Sequence, residues 1–246
     1  MIKFSVCIPT LNEEKYVGGL LDSLVHQNLK GFEVIVVDGK SKDKTEGAVN
    51  KYAGKLNLKF IKSPKRGVSF QRNYAAKQAK NDWIIFFDAD VKVGPDFLEK
   101  ISDYLEKHPN TEILTTWEEP ISDKPIDDLV FAAINLLMLE MMKKKRPNTI
   151  GCFICVKKKS FWEVGGFREH INFGEDFDLS ERMHSKGCKY VLLKTPRIKV
   201  SVRRFNKEGR FNMIVKNMRA AIMYLAQGDE FFDKVQGKIK HEFGEF

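Results

Sequence analysis

The sequence has few of the residues that build small cross-linked proteins. Of its 246 residues only 4 are Cys and 8 are Pro, and it contains no internal repeat or low-complexity stretch. A chain of this length buries enough surface to fold without disulfides, which excludes a disulfide-dense miniprotein. Hydrophobic residues make up 43% of the chain, too many for intrinsic disorder. We therefore predict one folded domain.

The sequence also lacks a segment long enough to cross a membrane. Its longest apolar stretch, residues 129–142, is interrupted by Asn135 and is shorter than the about 20 residues that a span needs. The N-terminal residues enter a strand pattern directly, without the charged, apolar and small-residue order of a signal peptide. These features predict a cytoplasmic protein.

The four cysteines do not form a recognisable metal motif. Cys152 and Cys155 have the spacing of half a zinc site, but no second pair completes it. All four lie in apolar runs, where a free cysteine behaves as a small hydrophobic residue. We predict that they are structural.

The charge of the chain is unbalanced. The 42 Lys and Arg residues exceed the 33 Asp and Glu residues by nine, which favours anionic partners such as phosphates, nucleic acid or an acidic membrane surface. Charge alone does not choose among these partners, and a Lys-rich surface can also be a solvated shell.

Strands and helices alternate in the first third of the sequence. Short apolar runs of the kind that form buried parallel strands alternate with stretches that have helical periodicity. The expected strands are 4–9, 33–38, 58–61 and 83–88, and the expected helices are 13–26, 42–52 and 69–79. This order indicates right-handed crossovers and a mostly parallel sheet flanked by helices.

The second part of the chain has a less regular order. We predict helices at 96–104 and 176–185, and strands at 113–117, 152–156, 190–193 and 198–202. The apolar segment 129–142 and a basic amphipathic helix at 211–227 complete this part. The fold class is therefore α/β, with a mixed C-terminal half.

Polar residues lie at the ends of three of the predicted parallel strands, and residues 10–13 (TLNE) follow the first. Asp38 ends the second strand, and Asp88 and Asp90 follow the fourth, two residues apart. Ligands of open α/β sheets bind beyond the carboxyl ends of the strands. Two carboxylates on the same side of an extended chain are costly together unless a cation neutralises them. A hard divalent ion such as Mg²⁺ or Mn²⁺ meets that need; the alternative is a solvated turn or helix cap.

Five segments together resemble family 2 glycosyltransferases of the GT-A fold, a Rossmann-like architecture. They are 5–14 (SVCIPTLNEE), 36–45 (VVDGKSKDKT), 86–90 (FFDAD), 164–167 (VGGF) and 174–176 (GED). The resemblance covers about residues 3–205, in the order and spacing of the family.

The resemblance implies a site for a nucleotide-diphosphate sugar, with UDP or GDP as the nucleotide. Asp88 and Asp90 are the implied metal ligands, and Arg72 matches a basic position that faces the donor. An arginine suits phosphate oxygens; the alternative for Arg72 is a surface helix residue. The residues implied to bind the nucleotide sugar are Pro9, Thr10, Leu11, Glu13, Asp38, Arg72, Asp88, Ala89 and Asp90.

The resemblance also implies the reaction, an inverting transfer of one sugar to a saccharide or a lipid-linked acceptor. Glu175 and Asp176 match the acidic pair near the acceptor, with Asp176 as the catalytic base and a divalent metal, Mg²⁺ or Mn²⁺, as cofactor. The alternative for this pair is two acids favoured by a helix dipole. The Gln-x-x-Arg-Trp sequence of processive synthases is absent, which implies a non-processive enzyme. Arg203 and Arg204 lie in the corresponding region, where either would touch diphosphate.

The chain departs from the family pattern after its second predicted strand. Many family members have a second acid after the strand-two aspartate, where this chain has Gly39, so the nucleobase stays open. An inactive glycosyltransferase-like scaffold and a basic nucleic-acid-binding protein are the other readings. No recognition motif supports the latter, and we expect no nucleic-acid partner.

We expect three parts along the chain. Residues 1–210 form the glycosyltransferase domain, with a nucleotide-sugar-binding half to about residue 92 and an acceptor half from about 93 to 210; residues 211–246 form an amphipathic helical extension. Segments 129–146 and 211–227 combine apolar and basic residues, which predicts peripheral association with the cytoplasmic face of a membrane. Core packing or a dimer contact is the alternative for the first segment. The implied role is the synthesis of a cell-envelope glycan or a glycolipid.

Overall fold

The computed structural model describes residues 1–141, 143, 147–171 and 174–210. The predicted extension at 211–246, with its helix at 211–227, lies outside the described residues. Within them, eight strands form one sheet in the order β3-β2-β1-β4-β7-β6-β8-β5. The strands are β1 (Phe4–Thr10), β2 (Glu33–Asp38), β3 (Leu58–Lys62), β4 (Trp83–Phe87), β5 (Val91–Lys92), β6 (Ile113–Ile121), β7 (Phe153–Lys157) and β8 (Tyr190–Ser201).

Helices cover both faces of this sheet. They are α1 (Val17–Val25), α2 (Thr45–Asn50), α3 (Val68–Gln78), α4 (Phe97–Lys107), α5 (Pro125–Ala133), α6 (Lys158–Glu163), α7 (Glu175–Ser185) and α8 (Arg203–Glu208). Helix α5 continues into a π-helical segment, Ile134–Glu140. One hydrophobic core includes side chains from α1 and α4. A second core includes side chains from α3, α6 and α7. The two cores take alternate side chains along β1, β2 and β4, so they lie on opposite faces of the sheet.

The sheet changes character halfway across, as the sequence predicts. Strands β1, β2, β3 and β4 pair in parallel, whereas β7 runs antiparallel to both β4 and β6. The β6–β8 pair is again parallel, and β5 pairs antiparallel with β8. The α/β class with a mostly parallel sheet and a mixed C-terminal half is therefore confirmed.

Several element boundaries differ from the prediction, and β5, α6 and α8 were not predicted. The strands expected at 190–193 and 198–202 are one strand, β8, because β6 pairs with it on both sides of a register shift between Thr116 and Glu118. The helix expected from residue 13 begins at Val17; the backbone N–H groups of Glu13 and Glu14 donate to the side chains of Thr45, at the start of α2, and Asp43, just before it.

The four cysteines are free and buried, as predicted. None of the described helices is both long enough and apolar enough to span a bilayer.

Candidate active site

The loops after β1 and β2 form one edge of the candidate site. Asp38 accepts hydrogen bonds from the Thr10 hydroxyl at 3.1 Å and from the backbone N–H of Ser41 at 2.9 Å. The Ser41 hydroxyl donates a third to the same carboxylate. A carboxylate offers about four acceptor positions, so Asp38 keeps room for one further donor. Asp38 therefore fixes this loop and keeps one acceptor position that these contacts leave unused.

A side chain at position 39 would collide with Gln71 where the structure places it. A Cβ at this position would lie 2.7 Å from the Gln71 Oε1 atom. Gln71 is buried, and its side-chain amide donates to the carbonyls of Thr10 at 2.9 Å and Val37 at 2.7 Å. The absence of a second acid at this place therefore has a steric cause, since Gln71 from α3 fills the space and ties the ends of β1 and β2 together.

Arg72 lies at the centre of the site and is almost completely buried. Its guanidinium donates to Asp88 at 2.7 Å, to Glu175 at 2.8 Å and to the carbonyl of Gly151 at 2.9 Å. Its carbon Cζ lies 5.3 Å from the centre of the Phe167 ring, within the range of a cation–π contact. Arg72 is therefore not a surface helix residue; it joins the acid after β4 to the acid that opens α7.

Asp176 lies beside this arginine, in the first turn of α7. It is 8% exposed, and burial, with the charge of Glu175, holds the pKa of its carboxyl well above its usual range, although Arg72 opposes the shift. Gly151 makes the close approach possible, because a Cβ there would lie 3.2 Å from Asp176 Oδ2 and 3.3 Å from Arg72 Nη2. A buried carboxyl with a raised pKa at a cleft is typical of an acid–base residue.

Asp90 and Glu13 share a second arginine, Arg203, from the start of α8. The Arg203 guanidinium binds both oxygens of Glu13 at 2.7 Å, and its Nε lies 2.9 Å from Asp90. The same group stacks on Tyr16 at 4.4 Å. Burial raises the pKa of Asp90, and Arg203 opposes this shift. Each carboxylate of the 88–90 segment thus has its own arginine in this structure.

Glu118 is a further carboxyl of the site that the sequence pattern did not single out. It is 5% exposed, and the Cys152 thiol donates to it. Burial raises its pKa to about 7, and the charges of Asp88 and Asp90 contribute to the shift. Glu118 comes directly after the predicted strand 113–117, but it lies inside the longer strand β6, so the sequence pattern alone does not place it in the site.

The remaining predicted site residues contribute backbone or packing. Pro9 pairs with Val37 in the sheet, and Leu11 and Ala89 are buried. The structure thus brings Asp88, Arg72, Glu175 and Asp176 into one network and Glu13, Asp90 and Arg203 into another, while Thr10 and Asp38 lie at the neighbouring strand ends.

The acids at 88 and 90 have the chemistry of a divalent-cation site. Carboxylate oxygens are the ligands that Mg²⁺ and Mn²⁺ prefer, and these side chains are 27% and 12% exposed. No cluster of three or more metal-ligating side chains occurs among the described residues. Two protein carboxylates suffice for Mg²⁺, which usually keeps waters and takes substrate phosphates as further ligands. The residues therefore fit such an ion.

Crystal structures of TarS from S. aureus align with this chain; the structure of its residues 1–349 in complex with UDP has a TM-score of 0.67 and 25% identity, covering 82% of this chain and 61% of that chain. The mannosyltransferase PcManGT from Pyrobaculum calidifontis, in complex with GDP-Man and Mn²⁺, has a TM-score of 0.73 at 23% identity and covers 97% of this chain and 65% of that chain. The fold is that of the GT-A glycosyltransferases.

The sequence profile of Glycosyl transferase family 2 matches residues 5–165, more than half of the chain. This chain belongs to that family.

The sequence matches to individual relatives cover only a small part of each relative's length. The poly(ribitol-phosphate) beta-N-acetylglucosaminyltransferase TarS of Staphylococcus aureus (strain Mu50 / ATCC 700699) is 39% identical over 118 residues, which are 46% of this chain and 21% of the relative. The minor teichoic acid biosynthesis protein GgaB of Bacillus subtilis (strain 168) is 30% identical over 218 residues, 81% of this chain and 23% of the relative. The chain thus spans less than a quarter of these two proteins.

Proposed function

We propose that this protein transfers a single sugar from a nucleotide-diphosphate sugar to an acceptor hydroxyl, with inversion and with a divalent cation. One observation carries the proposal: the Arg72 guanidinium bonds to Asp88 on one side and to Glu175, the neighbour of Asp176, on the other. Arg72 therefore links Asp88, a proposed cation ligand, to the acid next to the proposed base.

The donor nucleotide is proposed to bind at the loops after β1 and β2. The remaining acceptor position of Asp38 suits an N–H of the base or a hydroxyl of the ribose, and the surrounding backbone comes from Pro9, Thr10 and Leu11. The similarity to a UDP complex of TarS and to a GDP-Man complex of PcManGT supports UDP or GDP as the nucleotide.

Asp88 and Asp90 would hold the cation together with the donor diphosphate. When bound, a divalent cation neutralises charge on the departing nucleoside diphosphate. Glu13 and Arg203 adjoin this place, and an arginine fork suits phosphate oxygens. The Mn²⁺ in the PcManGT complex supports this assignment.

Asp176 is proposed as the base. The acceptor oxygen attacks the anomeric carbon, the bond from that carbon to the diphosphate oxygen breaks, and the hydroxyl proton moves to the Asp176 carboxylate. The electron pair of the broken bond leaves with the nucleoside diphosphate, so attack from the opposite side inverts the anomeric centre. Glu175, held by Arg72, would orient the base and the sugar.

The acceptor is proposed to be a saccharide or a lipid-linked group of the cell envelope, glycosylated at the cytoplasmic face of the membrane. TarS is by name a poly(ribitol-phosphate) beta-N-acetylglucosaminyltransferase, and GgaB is by name a minor teichoic acid biosynthesis protein. The similarity to these two proteins supports a cell-envelope glycan as the product. We assign residues 1–92 to the donor half and 93–210 to the acceptor half. The absence of a Gln-x-x-Arg-Trp sequence supports transfer of one sugar.

A thermal-shift panel tests the donor assignment. UDP, GDP and their sugars are added with and without Mn²⁺, because a ligand that binds only the folded state raises the melting temperature. We expect a Mn²⁺-dependent rise for one nucleotide series, reduced in Asp90→Asn and retained in Asp103→Asn, a matched change on the exposed side of α4. No response to any nucleotide would overturn the donor site, and an equal response in Asp90→Asn would overturn the cation assignment.

A further inference from the structure

The helix that begins at Pro125 has an apolar outer face. Exposed fractions are 48% for Ile126, 66% for Leu129, 56% for Leu136, 55% for Leu137 and 67% for Met141. Among the described residues, the only other large hydrophobic side chain exposed to this degree is that of Met1. Solvent-exposed apolar residues concentrated on one element mark an interaction surface. We call these five residues the outer face.

The opposite side of the same helix already has its partners. Asp127, Phe131, Asn135 and Leu139 are buried at intervals of four residues. Phe131 packs with Val202 and Phe205. The helix is therefore held to the rest of the fold through this inner side.

The inner side also connects the helix to the active site. The Asn135 amide accepts from the Glu118 N–H at 2.9 Å and donates to the Glu118 carbonyl at 2.8 Å. Glu118 in turn responds to the charges of Asp88 and Asp90. Anything bound at the outer face thus lies one helix away from Glu118.

Cationic side chains gather where this helix ends. Lys194 and Arg197 lie over the Trp117 ring at 5.1 and 5.3 Å from its centre. Lys194 is also 3.9 Å from Glu140, which pairs with Lys143. The sequence continues with the basic run 144–146, whose structure is outside the described residues.

We propose that the outer face inserts into an anionic lipid surface. An apolar helix face beside lysines, an arginine and a tryptophan has the composition of an interfacial helix, whose leucines enter the acyl boundary while its cations contact anionic headgroups. A protein-binding face would more typically carry Tyr, Trp or Arg at its centre; here the centre is Leu129, Leu136 and Leu137. The purpose of such insertion, which is to bring the acceptor site to a lipid-linked acceptor, rests on the proposed function.

Vesicle sedimentation of the full chain tests this proposal. We expect binding to vesicles of phosphatidylglycerol and phosphatidylcholine, weak binding to pure phosphatidylcholine, and release by salt. Leu129→Gln with Leu136→Gln should lower the partition coefficient about tenfold or more, because each leucine contributes apolar surface to insertion. Lys143→Gln should weaken binding only to anionic vesicles, whereas Lys51→Gln, an exposed control just after α2, should leave it unchanged.

Three outcomes would overturn the proposal. They are absence of vesicle binding, equal binding by the leucine variant, and a dimer in solution that the leucine variant converts to a monomer, which would assign the outer face to a second copy. The thermal response to nucleotide and Mn²⁺ is measured on the same samples. If the protein responds to nucleotide but does not bind vesicles, only the proposed lipid-binding role of the outer face is refuted. If it binds vesicles but shows no response to any nucleotide, only the proposed function is refuted.

Discussion

Glu118 makes the stability of this protein depend on pH in a way that one substitution removes. Burial raises the pKa of its carboxyl from 4.5 to about 7. Between those two values the folded state binds more protons at this site than the unfolded state, so stability falls as the pH rises. The raised pKa lowers the free energy of unfolding by about 3 kcal/mol when the group is fully ionised, and about 2 kcal/mol of this loss occurs between about pH 5 and 8.

Glu118→Gln keeps an oxygen that can accept from the Cys152 thiol and cannot ionise. We therefore expect its free energy of unfolding, relative to wild type, to increase by about 2 kcal/mol from about pH 5 to pH 8. Urea denaturation in EDTA at several pH values measures this difference. Glu119→Gln is the matched control, since Glu119 is partly exposed beside Lys199. Parallel pH profiles for wild type and Glu118→Gln would refute the burial argument.

Three further predictions concern the network around the strand ends. Gly39→Ala should destabilise the fold by about 1–3 kcal/mol in urea denaturation, because its Cβ meets Gln71 at 2.7 Å; unchanged stability would contradict this packing. Arg72→Met should lower the free energy of unfolding by about 3–5 kcal/mol, since it removes a buried guanidinium and leaves Asp88 and Glu175 without their charged partner; unchanged stability in urea denaturation would contradict this. The rate of transfer should rise with pH as Asp176, whose pKa is raised, loses its proton; a rate that falls with pH would exclude it as the base.

The sequence predicts those parts of the site that depend on neighbouring residues in the chain. Asp38 and Asp88 follow apolar runs, and the carboxyl ends of parallel strands meet at one edge, so their approximate location follows from the pattern. The order of strands and helices in the first half follows from hydrophobic periodicity, which also depends only on neighbouring residues in the chain.

Contacts between distant residues were not predictable in this way. Glu13 and Arg203 are 190 residues apart in the chain, and no local pattern indicates that they bind. Glu118 turns into the site at a register shift in β6, which strict alternation does not reveal. The burial of Arg72 likewise depends on α3 packing against two later segments.

The release of nucleoside diphosphate from a nucleotide sugar tests the central claim most directly. The full chain is incubated with the donor selected by the thermal-shift panel, with Mn²⁺ and with a mixture of saccharide and lipid-linked acceptors, and the released UDP or GDP is measured. We expect Mn²⁺-dependent release by wild type, and release slower by about 10²-fold or more in Asp176→Asn, since a positioned base contributes about that factor, with donor binding retained. Donor binding by wild type without release in any combination of donor and acceptor would contradict the account and indicate an inactive scaffold.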